Sequence, residues 1–302
     1  MNRRLTLFAL PLLACLSLPS LAPAQPVENL PKGGVHVGLG AGGSVSSSVA
    51  ELATLAVDQS KALLAQQRDC KQPDRSDCVH LSGLRQVVRA AYAGGLTGYA
   101  QPLAELTVKY GLTDRWMIGG RLGSGLQRLD LDYQLVDGGA ERKGWMAQAS
   151  FSYSRQKASV PLPQVQDLLE MVGMDDNGRH NFDFRLSTGR RLGEFGWVTF
   201  GGRFLLGRYQ LDLRPSLPII DDLPGVDSGV SNVVVQQLPR TDEVGWSHFT
   251  GVYANALVGW RYVYVGGELS VAYYHASSYV LGVQETWTGL SVVPSLLVQT
   301  RF

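Results

Sequence analysis

The sequence predicts an all-β fold, an antiparallel transmembrane β-barrel of about ten strands (eight to twelve) with a helical insertion after the first strand. Three observations predict it. From Gln101 onward, apolar and polar residues alternate with a period of two in segment after segment, the pattern of half-buried strands. Several segments run past ten residues, whereas globular strands cluster near five or six and a tilted spanning strand needs roughly 9–11. Aromatic residues gather toward segment ends, at Tyr110, Trp116, Trp145, Tyr153, Trp197, Trp246, Trp260, Tyr262, Tyr273, Tyr274, Trp287 and Phe302, as an interfacial girdle places them. A β-sandwich shares the alternation but not the strand length or the girdle.

The chain opens on MNRRLTLFALPLLACLSLPSLAPAQ. Arg3 and Arg4, an apolar run, and Ala22-Pro23-Ala24 before Gln25 make the three parts of a secretory signal peptide, residues 1–24. A competing lipoprotein-type site is Leu12-Leu13-Ala14-Cys15, which leaves a very short apolar region. The formal net charge is +1, and removal of Arg3 and Arg4 leaves −1 on residues 25–302. That balance gives no reason to expect nucleic acid or an acidic polymer as partner. Two cysteines remain, Cys70 and Cys78 in CKQPDRSDC, and in an oxidising compartment a disulfide closing this polar loop is the simplest expectation. Metal binding is the rival, but no Cys or His pair has ligand spacing, so neither metal nor cofactor is expected.

The strands are expected near 33–42, 101–112, 115–123, 126–136, 143–157, 180–191, 196–212, 245–259, 263–277 and 287–302. In PLAELTVKYGL, Leu106, Val108 and Tyr110 alternate with Glu105, Thr107 and Lys109. In QRLDLDYQLV, Leu129, Leu131, Tyr133 and Leu135 alternate with Arg128, Asp130, Asp132 and Gln134. NFDFRLST sets Phe182, Phe184 and Leu186 against Asp183 and Arg185. Connections alternate between short and long, as periplasmic turns and outer loops do, and a turn at Gly123-Ser124-Gly125 makes the strand number even. Residues 213–244, rich in Pro, Asp and Gly, read as a long outer loop. Segment 45–95 is different. Ser48 and Glu51 form a capping box, and Leu52, Leu55, Ala56, Leu63, then Leu81, Leu84, Val88 and Ala91 recur at helical spacing, which predicts a plug or an outer cap.

The sequence ends LSVVPSLLVQTRF, with Leu296, Val298, Thr300 and Phe302 on one face of the last strand. In hydrocarbon every backbone polar group must be paired internally, so this strand must zip against the first. These residues resemble the C-terminal signature of bacterial outer-membrane β-barrel proteins, and KYGLTDRWMIGG is similar to their periplasmic hairpins. The resemblance implies a Gram-negative outer-membrane location, contact with outer-membrane lipid, and reading of Leu296, Val298, Thr300 and Phe302 by the barrel-assembly machinery. Pro294 departs from the pattern by removing a ladder donor, so a bulge is expected there. The 45–95 insertion also resembles, faintly, the plug of fatty-acid transporters of this membrane, which have more strands and longer chains.

Enzymatic constellations are weak. Ser247 and His248 are neighbours on a strand and so point to opposite faces. Asp221-Asp222 with His248 or His275 resembles the acid and histidine set of outer-membrane proteases, but in a Pro-rich loop with other acids nearby solvated loop charges explain Asp221 and Asp222 far better. No enzyme is expected. More telling are Glu105, Lys109, Arg121, Arg128, Asp130, Asp132, Asp183, Arg185, Arg203 and Glu268, which the alternation sends into a narrow lumen in mixed signs. The leading expectation is a small porin-like or transporter-like protein. The alternative is a non-conducting structural or interaction barrel of an envelope machine for secretion, adhesion or motility, with envelope partner proteins.

Overall fold

Ten antiparallel strands follow one another round a closed sheet: β1 Val35–Gly42, β2 Ala104–Gly111, β3 Trp116–Gly123, β4 Leu126–Asp137 and β5 Trp145–Lys157, then β6 Asn177–Arg191, β7 Gly196–Leu211, β8 Val244–Trp260, β9 Val263–Val280 and β10 Val283–Arg301. β10 pairs back onto β1, from His36↔Arg301 to Gly42↔Ser295, so no strand of the ring is left as an edge. The structure is a computed structural model and describes residues 28–42, 45–46, 79–80, 85, 88–89, 92–93, 96–97, 104–123, 125–139, 144–157, 177–193, 195–211, 219–221, 233–235, 244–260 and 262–301. The expected signal peptide, Cys70, Cys78, Phe302 and most of the expected helical segment lie outside these residues.

β1 begins and β10 finishes at one rim, which also carries the turns at 112–115, 138–144, 192–195 and 261–262. The opposite rim carries the 43–103, 158–176 and 212–243 connections and two tight turns, at 124–125 and 281–282. Short connections mark the periplasmic rim and long ones the outer rim. The outer rim is uneven. β1 to β3 have 8 residues each, while β6 to β10 have 15 to 19.

The structure departs from the sequence reading at five places. β9 and β10 continue past the expected break at 278–286 and meet in a two-residue turn, Leu281 (φ 47°) and Gly282 (φ 84°). Both residues lie at positive φ, the twist-matched hairpin geometry, and leucine gives no turn signal in a sequence. A bulge interrupts β4 between Gln134 and Val136, so Leu135 and Val136 both face outward. Pro294 makes no bulge against β9, where it pairs with Leu269. On its other side the ladder includes Gly42↔Ser295 and Val45↔Val292, and the position opposite Pro294 lies outside the described residues.

The girdle loses three members to the interior: Trp197, Tyr274 and Trp287 are buried, whereas Trp116, Trp145, Trp260 and Tyr262 stay on the outside. Trp197 turns inward because its indole N–H finds a carboxylate there, described below. Finally, the long outer connections carry a small sheet of their own. Ile219–Asp221 pairs antiparallel with Val233–Val235 and parallel with Val79–His80.

Candidate functional site

An apolar surrounding inverts the usual strand code, so the inward positions are polar and the outward ones apolar. On β2, Glu105, Thr107 and Lys109 are buried while Leu106, Val108 and Tyr110 are exposed. On β4, Arg128, Asp130 and Asp132 are buried while Leu129 and Leu131 are exposed. The ten charged residues that the alternation sends inward, Glu105, Lys109, Arg121, Arg128, Asp130, Asp132, Asp183, Arg185, Arg203 and Glu268, are each at most 8 % exposed. Five are cationic and five anionic, and burial at this level demands pairing.

Nine of them form two connected sets in the middle of the lumen. Lys109 donates through Nζ to Asp132 Oδ2. Arg121 donates to Asp130 Oδ2 at 2.6 Å and to Glu105 Oε1 at 3.2 Å. Arg128 bridges onward, from Asp130 Oδ1 (2.8 Å) to Asp183 Oδ2 (3.0 Å), with Ser152 Oγ at 2.6 Å. Asp183 is the hub: besides Arg128 it accepts from Arg185 Nε and Nη2 (3.2 and 3.1 Å) and from Arg203 Nε and Nη2 (2.9 and 2.6 Å). A carboxylate offers about four acceptor directions, and Asp183 receives five contacts, from three guanidinium groups. Gly119, opposite Lys109 and Asp130 in the ladder, leaves the room that the Lys109 stem occupies.

Glu268 stands apart on β9, accepting from Ser270 Oγ at 2.9 Å. Beside it a small polar void is lined by Gln148, Ser150, Arg185, Ser187, Tyr253, Asn255 and Glu268, with room for about one water molecule. Glu268 Oε2, Gln299, His36 Nε2 and Ser291 Oγ are buried on this side of the barrel without hydrogen-bond partners. The paired charges thus run along β2 to β7, where Thr107, Asp132 and Thr199 still each bury one unpartnered oxygen, and such atoms recur along β8, β9, β10 and β1.

The periplasmic end is stopped by a segment for which sequence reading offered no signal. Glu28, Asn29 and Leu30 are buried inside that rim. Glu28 Oε2 accepts from Trp197 Nε1 at 2.9 Å, and its carbonyl accepts from Arg301 at 3.0 Å. The Arg301 and Arg191 guanidinium groups lie 5.1 and 5.4 Å from the Trp197 ring, an arrangement of cations over an electron-rich face. Trp197 also belongs to an apolar cluster with Met146, Leu257, Tyr264 and Leu297. The β4 bulge serves the same plug. Gln134 donates to the carbonyls of Val136 (2.7 Å) and Ala147 (3.1 Å) and accepts from the Asn29 backbone N–H at 2.7 Å. Gln148 donates to Asn29 Oδ1 at 2.5 Å.

The outer end is occupied too. Arg85, Val88, Arg89, Tyr92, Ala93, Leu96 and Thr97 are helical, and Val88, Tyr92, Ala93 and Leu96 are fully buried. Their spacing of three and four residues puts them on one helical face. Tyr92 packs edge-on against Tyr209 of β7 with ring centroids 5.7 Å apart, and Leu96 lies over Gly245 of β8. Arg89 pairs with Glu285 of β10 at 3.1 Å, and Arg85 donates to the Leu281 carbonyl at 3.4 Å. These contacts all fall on the tall side of the wall.

The residues weighed for catalysis separate. Ser247 faces the lumen and His248 the exterior, where its ring stacks on that of His275 with centroids 5.1 Å apart. Asp221 lies in the small sheet and Asp222 lies outside the described residues. The expected assembly residues Leu296 and Val298 face outward, 70 % and 48 % exposed, with Thr300 on the same face of β10.

No family model and no curated protein matches this chain. Among solved structures, Neisserial surface protein A is 11 % identical, with 89 % of this chain and 94 % of that one covered at a TM-score of 0.29. Ail, the attachment invasion locus protein of Yersinia pestis, is 9 % identical, with 90 % and 99 % covered at a TM-score of 0.26. At such scores the assignment rests on the barrel itself: a closed, even-numbered antiparallel ring with a polar interior and an apolar exterior, its short turns on one rim. The protein is a bacterial outer-membrane β-barrel, located in the outer membrane of a Gram-negative cell.

Proposed function

We propose that this barrel is non-conducting and serves as a structural or interaction component of the cell envelope, presenting its outer rim for docking. The observation that carries this reading is the filled lumen. Glu28 to Leu30 occupy one end, the Asp183 and Asp132 networks the middle, and Val88, Tyr92, Ala93 and Leu96 the other end. Moving an ion through would require breaking charge-assisted hydrogen bonds at the middle level, each worth about 1.5–3 kcal/mol. The small sheet formed by 79–80, 219–221 and 233–235 at the outer rim supplies an ordered surface for a partner. Assembly would proceed through recognition of Leu296, Val298, Thr300 and Phe302 by the barrel-assembly machinery, and a Cys70–Cys78 disulfide would close the polar loop beside the cap.

The porin-like or transporter-like reading is favoured by one feature, the unpartnered polar atoms of Glu268, Gln299 and His36 and the small void beside Glu268, which would hold about one water molecule. Planar-bilayer recording of the full chain separates the two. The docking reading expects no conductance steps across the accessible voltages, with folding verified by heat-modifiable gel mobility. Reproducible steps would transfer the assignment to a narrow transport pathway.

A further inference from the structure

We propose that the outer wall carries a binding site for a phosphorylated glycolipid of the outer leaflet, built from Arg155 on β5, His180 on β6 and Arg208 on β7. The three are direct cross-strand neighbours, Arg155↔His180 and His180↔Arg208, in one row round the barrel. All three side chains are on the outward face: their ladder neighbours Ser154, Arg179 and Tyr209 are buried, whereas Arg155 and Arg208 are exposed and His180 half-buried. Directly opposed side chains in adjacent strands have Cβ atoms about 4.5–5.5 Å apart, and like charges at that spacing repel. Among the described residues no carboxylate forms an ion pair with Arg155 or Arg208. A row of this kind calls for an anion from outside.

Depth identifies the anion. The row lies ten residues along each strand from the periplasmic row Trp145↔Arg190 and Arg190↔Val198. Ten residues at about 3.4 Å, tilted by about 40°, rise roughly 26 Å, the height of an outward apolar band. Between the two rows the outward residues include Phe151, Tyr153, Phe182, Phe184, Phe200 and Phe204, an apolar and aromatic wall suited to acyl chains. The basic row therefore stands where the headgroups of the outer leaflet begin, and in this membrane that leaflet is made of phosphorylated glycolipid. Tyr153 Oη holds His180 Nδ1 at 2.7 Å, which fixes the imidazole and leaves Nε2 as its remaining polar atom. Trp246, next in the row after Arg208 and 48 % exposed, adds an amphipathic ring at the same depth. Arginine suits this role because its planar donors match phosphate oxygens in pairs.

The test is binding of fluorescently labelled, diphosphorylated lipid A to the purified full chain in zwitterionic detergent. Because each charge-assisted pair contributes strongly, an R155Q/R208Q double variant is expected to bind at least about tenfold more weakly. Competition by unlabelled diphosphorylated lipid A should be strong, by dephosphorylated lipid A weak, and by phosphatidylglycerol at equal charge weak. Equal binding by wild type and a folded double variant would overturn the site. Equal competition by the dephosphorylated form would remove the phosphate, and equal competition by phosphatidylglycerol would remove the glycolipid. If the double variant fails to fold on heat-modifiable gels, the wild-type competition series decides alone.

Discussion

Replacing Asp183 with asparagine tests the central assumption about the lumen, that its charges are dry and mutually paired. Asp183 is 2 % exposed and takes contacts of 2.6–3.2 Å from Arg128, Arg185 and Arg203. In the variant only one oxygen remains. If the amide nitrogen takes the place of Oδ2, the contacts from Arg128, from both Arg185 nitrogens and from Arg203 Nη2 are lost, and one from Arg203 Nε survives. If the amide is reversed, four contacts survive but none is to a charge. In either case three buried guanidinium groups lose a shared counter-ion, and breaking a buried pair from one side costs about 3–5 kcal/mol. The assay is urea unfolding from lipid vesicles, followed by tryptophan fluorescence. The D183N/R203Q double variant, which restores the charge balance, should recover at least about 1 kcal/mol of that loss in a double-mutant cycle. A loss below about 1 kcal/mol for Asp183→Asn, with no coupling to Arg203, would show a hydrated and screened network. That result would refute the sealed interior.

Three further outcomes are expected. Glu28→Ala removes the acceptor of the Trp197 indole at 2.9 Å and should cost about 1–3 kcal/mol, with a shift in tryptophan emission as water reaches the ring; unchanged emission would detach residues 28–30 from the periplasmic rim. Gly119→Val would set a branched side chain against the Lys109 stem and the Val108 carbonyl, and should break the Lys109–Asp132 pair at a cost of about 3 kcal/mol, read in the same urea titration. Leu281→Asn puts a residue that tolerates positive φ into the turn but gives up a fully buried leucine. Burial is worth about 1.5–3 kcal/mol and the backbone relief about 1–2, so a net loss near 1 kcal/mol is expected, and a gain in thermal midpoint would reverse that ranking.

Much of the wall was legible because a membrane barrel writes its two faces into alternate residues. Leu129, Leu131 and Tyr133 against Arg128, Asp130 and Asp132 specify a strand and the side of it that meets lipid. Partnership was not legible. Nothing local tells Arg128 that it will bridge from Asp130 to Asp183, 55 positions away, because ladder register decides it. The bulge at Gln134–Val136 shifts the alternation by one, and only the plug that Gln134 holds explains why it is tolerated. Trp197 stands at a strand end and so fits the girdle, but an indole suits a cavity with an acceptor as well as an interface. The Glu28–Leu30 stopper has neither period nor motif; its sequence is ordinary, and only its surroundings make it a plug.

The uneven wall has a mechanical consequence. Strands of 8 residues, at about 3.4 Å each and tilted by about 40°, rise only about 21 Å, several ångströms less than the apolar band on the opposite flank. A shorter hydrophobic wall pulls the neighbouring leaflets together, so the bilayer beside β1 to β3 should be thinned and more readily deformed than elsewhere round the ring. The closing seam runs along this same flank, where β10 pairs with His36 to Gly42 of β1 and, further on, with Val45 and Ser46. Compliant lipid thus lies against the shortest ladders of the ring, those of β2 with β1 and with β3.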